Sequence, residues 1–341
     1  MEPGHRLLVR CAQTRSPRSA AQECRADFLA PDLEVRKQPG ESRIVLILVD
    51  ELPMIPADAG DVKWNYLPIE NMEQVEVLKG AASALFGSSA LNGVINFRTA
   101  YPKDKPSTSV TVYSGIYDRP MDARLWYWRG STNPRYDGLN FTHSQKLGQI
   151  DLVLGGHYFN DEGFRQGETE IRKRANMNFR YRFKKVKGLS AGVNLNSMET
   201  HGGLFFLWKS DTAAYVPADG TLQTYRNYRL NVDPFIVYHT EKAGKHSLRT
   251  RYFRTNNIND KNQGALAELF YGEYQFQKKF QKNLTFTSGI VAMQQLVYSD
   301  SVYGTHKGLN RAMYAQFDKK FFKKIYKKYS KIFSNFFLYL P

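Results

Sequence analysis

Cysteine is almost missing from this sequence: Cys11 and Cys24 are the only two in 341 residues. They do not have metal-ligand spacing, and a disulfide between them stays open. Long hydrophobic runs are missing too. The longest aliphatic stretch, Ile44–Val49, has six residues, against roughly 20 for a membrane-spanning helix. With a mean hydropathy of −0.50, a bundle of membrane helices is excluded. The N-terminal residues MEPGHRLLVRCAQTRSPRSA hold basic side chains but lack the apolar core of about 7–15 residues that an export signal requires. Catalytic groupings are absent as well. His143, His157, His201, His239, His246 and His306 are scattered, and no Ser/His/Asp or Cys/His set can be assembled from spacing. The expectation is a protein that is not an enzyme, with no cofactor and no resident metal.

What is present is charge and aromatic side chains. The formal net charge is +16 and aromatics reach 14%. Much of the excess charge sits in one cluster, Lys319, Lys320, Lys323, Lys324, Lys327, Lys328 and Lys331. The rest falls at alternate positions, which suits a polar lumen or a solvated face and argues against nucleic acid as a partner. The alternation is persistent. Met177, Phe179, Tyr181 and Phe183 alternate with Asn178, Arg180, Arg182 and Lys184, and Leu189, Ala191, Val193 and Leu195 alternate with Ser190, Gly192, Asn194 and Asn196. About ten such strands are read, at 107–117, 139–147, 149–160, 168–186, 189–209, 221–242, 246–260, 265–280, 284–303 and 306–322. Tight turns such as Leu147-Gly148 and Lys187-Gly188 alternate with longer loops, the signature of an outer-membrane barrel. Tyr158, Phe159, Trp208, Tyr238 and Tyr298 near strand ends would form interfacial girdles.

Four zones follow. Residues 1–43 are Arg-, Ser-, Ala- and Pro-rich without periodicity, an atypical segment read as disordered or out of frame. Residues 44–101 form a compact Gly-marked unit, 107–322 hold the strands, and 323–341 are a Lys-rich atypical tail. Within 44–101, Ile44–Val49 reads as a buried strand and Asp50–Gly60 as a loop. Pro68 opens a short helix, Val75–Leu78 is a strand, Ala81–Phe86 has helical composition, and Val94–Phe97 is another strand.

The phrase Met72-Glu73-Gln74-Val75-Glu76-Val77-Leu78-Lys79-Gly80, followed by Ser83, Phe86, Gly87, Ala90, Gly93, Val94, Ile95 and Asn96, resembles the end of the plug domain of TonB-dependent outer-membrane receptors. The resemblance extends over residues 43–322. It implies a mainly β fold: the C-terminal part of an α+β plug, then antiparallel strands of an incomplete transmembrane β-barrel. The plug-motif residues are Glu73, Glu76, Lys79, Gly80, Phe86, Gly87, Gly93 and Asn96. In the family, the position of Lys79 resembles a lock to acidic groups on the barrel wall, and a buried ammonium there needs a carboxylate partner. Asp58, Asp61 and Trp64, in the loop after the first plug strand, are the candidate ligand-facing residues.

The family implies energy-coupled uptake of a large scarce solute across the bacterial outer membrane. A ferric siderophore ranks first, with haem, cobalamin or an oligosaccharide as alternatives. The implied partners are the TonB energy-transducing complex, the transported ligand and outer-membrane lipid. Family members have 22 strands, a complete plug, a TonB-contacting segment and an export signal. The chain is therefore expected to be a fragment truncated at both ends and inactive as it stands, with flanks read out of frame. Competing readings are a structural or adhesive β-sheet surface protein and a passive porin.

Overall fold

The computed structural model describes residues 7–9, 46–58, 64–79, 93–122, 125, 132–281, 284–299, 301–302, 304–321 and 325–337, with backbone alone at 7–9, 79, 281, 320–321 and 325–337. The chain divides into two compact units. One comprises residues 1–54 and 72–100, the other residues 55–71 and 101–341.

The first unit is a five-stranded sheet, built from β1 (Leu7–Val9), β2 (Leu46–Val49), β3 (Leu52–Pro53), β4 (Met72–Lys79) and β5 (Gly93–Thr99) in the order β1-β4-β5-β2-β3. The aliphatic run of β2 is buried along its whole length and pairs in parallel with β5. This accounts for a strand that is apolar on both faces. Leu46, Ile47, Leu48, Leu52, Met54, Val94 and Phe97 make the core. Asp50 and Glu51 link β2 to β3 with φ of 51° and 70°, the two left-handed residues that a tight hairpin of matching twist demands. Asp50 offsets that strain by accepting hydrogen bonds from the Thr99 amide at 3.0 Å and hydroxyl at 2.7 Å. The strand β1 lies inside the segment that has no sequence period, and it pairs antiparallel with β4. The helix expected over Ala81–Phe86 lies outside the described residues.

The second unit is an eleven-stranded antiparallel sheet in sequential order. Its strands are β6 (Ser107–Ile116), β7 (Arg135–Leu147), β8 (Ile150–Asp161), β9 (Glu170–Arg182), β10 (Leu189–Leu204), β11 (Gln223–Thr240), β12 (Gly244–Asn259), β13 (Ala265–Gln281), β14 (Leu284–Ser299), β15 (Gly304–Phe321) and β16 (Ile325–Phe337). Ten of them match the alternating segments. The eleventh, β16, occupies the stretch where alternation stops, and it pairs with β15 from Phe321↔Ile325 to Asn310↔Phe337. Residues 325–337 thus continue the sheet, where the sequence reading ends the strands at 322. The edges are β6 and β16, and no ladder joins them among the described residues.

The two faces of this sheet are chemically inverted relative to an ordinary globular sheet. Along β9, Arg174, Asn176 and Asn178 are buried on one face, while Ile171, Ala175 and Tyr181 are exposed on the other. The same holds on β11, where Arg229, Asn231 and Asp233 are buried and Leu230 and Ile236 are exposed. A buried polar face backed by an exposed apolar one is the pattern of a barrel wall that turns its apolar side to lipid. This alternation also corrects one girdle residue. Phe159 stands on the face of His157, stacking on it at 6.4 Å, and so it cannot share the exposed apolar face with its neighbour Tyr158.

Candidate functional site: the polar face and the segment laid against it

Antiparallel register arranges the polar face of β9–β12 into rungs. Arg172, Thr200, Asn227 and Asn257 form one rung, Arg174, Met198, Arg229 and Thr255 the next, and Asn176, Asn196, Asn231 and Phe253 the third. The segment from Ile55 to Asn71 packs against these rungs within the same unit. Its proline content keeps it out of regular structure, apart from single 3₁₀ turns at Trp64–Tyr66 and Ile69–Asn71. Pro68 starts the second turn, which closes when the Asn71 amide donates to the Pro68 carbonyl at 2.9 Å.

Tyr66 is the apolar anchor. Its ring stacks on Phe253 with centroids 5.5 Å apart. Its hydroxyl lies 2.7 Å from the Asn196 carbonyl and 2.8 Å from Asn231 Oδ1, two acceptors for a single proton. Asn196 Nδ2 returns a bond to the Tyr66 carbonyl at 2.9 Å. Burial pushes the phenol well above its ordinary value, so it stays neutral. Behind it, Asn231 Nδ2 donates to Asp233 at 2.8 Å, and Arg251 holds the same carboxylate with Nε at 2.8 Å and Nη2 at 2.5 Å.

Glu70 and Arg174 are the charged anchor, with side chains only 5% and 3% exposed. Arg174 Nη2 pairs with Glu70 Oε2 and Nε donates to Oε1 at 3.2 Å. Arg174 Nη1 donates to the carbonyls of Asn65 at 2.8 Å and Leu67 at 2.6 Å. Asn176 Nδ2 adds a bond to Glu70 Oε1 at 2.7 Å. Every polar atom of the carboxylate and almost all of the guanidinium is matched, the condition under which a buried pair holds.

Of the residues expected to face a ligand, Asp58 is half-buried and accepts a hydrogen bond from Asn257 Nδ2 at 2.7 Å, Trp64 is 48% exposed, and Asp61 lies outside the described residues. Among the plug-motif residues, the structure joins two. Asn96 Nδ2 donates to Glu76 Oε2 at 3.2 Å, and Asn96 Oδ1 accepts from the Glu51 amide at 3.0 Å. Arg98 Nε braces Glu76 at 2.9 Å. Glu76 and Asn96 therefore tie β4 and β5 to the β2–β3 hairpin. Glu73 is exposed on β4. Gly93 opens β5 at a φ of 140°, in the region that favours glycine. The Lys79 backbone pairs with Gly93, whereas the Lys79 side chain, Gly80, Phe86 and Gly87 lie outside the described residues. Spacing did not disclose Tyr66, Glu70, Arg174, Asn196 or Asn231. For Arg174, Asn196 and Asn231 the signal was polar residues at every second position of strands whose other positions are apolar.

The family model of the TonB-dependent receptor plug domain matches residues 30–94. Residues 30–94 thus carry a plug domain of the TonB-dependent receptor type. The match starts at residue 30, within the segment 1–43. The ferric enterobactin receptor PirA of Pseudomonas aeruginosa is 36% identical over 87 residues, covering 23% of this chain and 12% of that protein. The vitamin B12 transporter BtuB of Photobacterium profundum is 30% identical over 82 residues, covering 24% and 14%. In solved structures, the siderophore receptor PirA from Pseudomonas aeruginosa superposes with a TM-score of 0.63 at 18% identity, covering 81% of this chain and 45% of that one. The ferric citrate transporter FecA in its unliganded form gives 0.62 at 14% identity, covering 83% and 46%. The chain thus spans less than half the length of these solved relatives, and the likeness to them is one of fold.

Proposed function

We propose that this receptor chain serves energy-coupled uptake of a large scarce solute across the bacterial outer membrane, with a ferric siderophore as the first-ranked cargo. The observation that carries the reading is the plug-type segment, residues 30–94, in one chain with strands whose apolar side is exposed. A passive porin has no use for a plug, and an adhesive sheet has no use for a buried polar face. A siderophore ranks ahead of cobalamin because ferric enterobactin and ferric citrate proteins are among its structural relatives, although vitamin B12 transporters share the plug similarity. Asp58, Asp61 and Trp64 are proposed to face the ligand, and Lys79 to lock onto a carboxylate. TonB would supply the work and outer-membrane lipid the surrounding solvent.

Uptake of iron-55 as ferric enterobactin, measured in cells stripped of their own catecholate receptors and given the full receptor gene, tests the reading. Accumulation is expected only when TonB is present. Equal accumulation in cells lacking TonB would reduce the protein to a pore. Uptake of vitamin B12 alone would move cobalamin to first rank.

A further inference from the structure

One end of the large sheet carries an excess of unmatched positive charge. Strands are joined there by short connections, between Arg182 and Leu189, Thr240 and Gly244, and Gln281 and Leu284. Lys184, Lys185 and Lys187 stand on the first, Lys242 on the second, and Lys278 and Lys279 lead into the third. All but the half-buried Lys278 are exposed, and none of the six forms an ion pair with a described residue. Nearby carboxylates are engaged elsewhere. Asp151 holds Arg180 at 2.6 Å and Arg182 at 2.8 Å, Asp104 pairs with Lys146 at 3.9 Å, and Asp318 accepts from Gln316 at 2.6 Å. At the long-loop end the arginines are matched instead: Arg135 with Asp137 and Glu162, Arg165 with Glu168, Arg172 with Glu170, and Arg226 with Glu199.

Beside these lysines, a row of rings crosses five strands on the exposed apolar face. Tyr238 on β11 pairs with His246 on β12, and His246 with Phe276 on β13. Phe276 then meets Phe286 on β14, which pairs with Phe317 on β15. Successive ring centres are 6.2, 4.9, 6.4 and 4.7 Å apart. Aromatic rings collect where bilayer hydrocarbon gives way to headgroups. The row thus marks the level at which the apolar face ends, and the lysines lie at or beyond it. Lys278 spans both zones. It pairs in register with Phe286, and its Nζ is 5.7 Å from the Phe280 ring centre, as in a stem that follows apolar surface while its ammonium reaches polar ground.

We infer that Lys184, Lys185, Lys187, Lys242, Lys278 and Lys279 form a collar that binds the anionic headgroups of phospholipids in the leaflet at the tight-turn end. The three connections span about 20 Å of sheet at one level, and a leaflet of acidic lipid meets all of them at once. Each lysine near such a surface adds attraction that fades within a Debye length. In outer-membrane barrels the short turns face the periplasm, so the collar selects lipid from the inner leaflet of the outer membrane. This rests on the receptor reading above and adds a lipid class to it.

The test uses the full-length receptor reconstituted in phosphatidylcholine vesicles, with spin-labelled phosphatidylglycerol or phosphatidylcholine as the probe. Electron spin resonance gives the ratio of the two association constants. The wild type is expected to favour phosphatidylglycerol by about 3-fold or more in about 20 mM salt, and to lose that preference in about 0.5 M salt. The triple variant Lys184→Gln, Lys185→Gln, Lys187→Gln and the double variant Lys278→Gln, Lys279→Gln should each remove about half of the preference or more. Lys278→Arg with Lys279→Arg should keep it, and so should Lys209→Gln with Lys261→Gln at the long-loop end. The two neutralised turns lie apart, so either variant decides if the other does not fold. Absence of a preference in the wild type overturns the collar. So does a preference that neither neutralised variant moves, or an equal loss in the Lys209 and Lys261 pair. TonB-dependent uptake would then leave the receptor reading standing. Release of the wild type from the vesicles by alkaline carbonate would overturn the lipid-facing wall, and the collar with it.

Discussion

Arg174 directs its whole guanidinium at one short stretch of chain. It meets the Glu70 carboxylate and the carbonyls of Asn65 and Leu67, so a single side chain fixes both 3₁₀ turns of the segment. Arg229 sits two strands away on the same rung and has none of these partners. The contrast makes a prediction at this scale. Arg174→Gln leaves the Glu70 carboxylate buried without its counter-charge, held by Asn176 alone, and should destabilise the folded chain by about 3–5 kcal/mol. Urea unfolding in micelles, followed by tryptophan fluorescence, would measure it. A double variant, Glu70→Leu with Arg174→Met, should lose less than the sum of the single variants, because it removes both charges together. If the losses simply add, the pair is not coupled and the clamp is misread.

At the scale of the element, the strands were legible because burial imposes a period of two. On β9, Arg174, Asn176 and Asn178 fall on one face and Ile171, Ala175 and Tyr181 on the other, and a reader of sequence sees that alternation directly. Leu230 near the middle of β11 belongs to the exposed apolar face. Leu230→Arg should therefore cost about 2–4 kcal/mol if it lies at bilayer mid-depth. Folding free energies in phospholipid vesicles would show this, and an unaffected variant would mean that this face does not meet lipid. The strand β16 escaped notice for the complementary reason. In Ile325-Tyr-Lys-Lys-Tyr-Ser-Lys-Ile-Phe, lysines and aromatics fall on both parities. A ladder with β15 is made by backbone groups, which leave no trace in side-chain pattern. The clamp was illegible for another reason. Glu70 and Arg174 are 104 residues apart, and no spacing rule connects a turn residue to a strand so distant. By contrast, Glu76 and Asn96 were picked out by the plug phrase, and the structure gives them a common task in tying β4 and β5 to the β2–β3 hairpin.

For the whole molecule, the organising fact is that the chain leaves the small sheet's unit and comes back to it once before entering the large sheet. Residues 55–71 leave the small sheet's unit and belong with the large sheet, after which the chain returns to the small sheet at β4. The large sheet then runs strand by strand from β6 to β16 without a crossover. Its first strand, an edge, is exposed on both faces from Ser107 to Val112, with Val110 at 59% and Val112 at 73% on one face and Ser109 and Thr111 exposed on the other. The strict alternation also decides where this protein can change length. One residue inserted after Asn194 would carry Asn196 and Met198 to the opposite face, breaking the bonds of Asn196 to Tyr66. A peptide tag inserted after Gly220, in the exposed turn between β10 and β11, would shift nothing in either strand. Gel mobility before and after heating should show the tagged form folded and the single-residue insertion unfolded. A chain built this way accepts new sequence at its turns and refuses it between them, so kinship among its relatives should be measured strand by strand, and the gaps in their alignments should fall almost wholly in the loops.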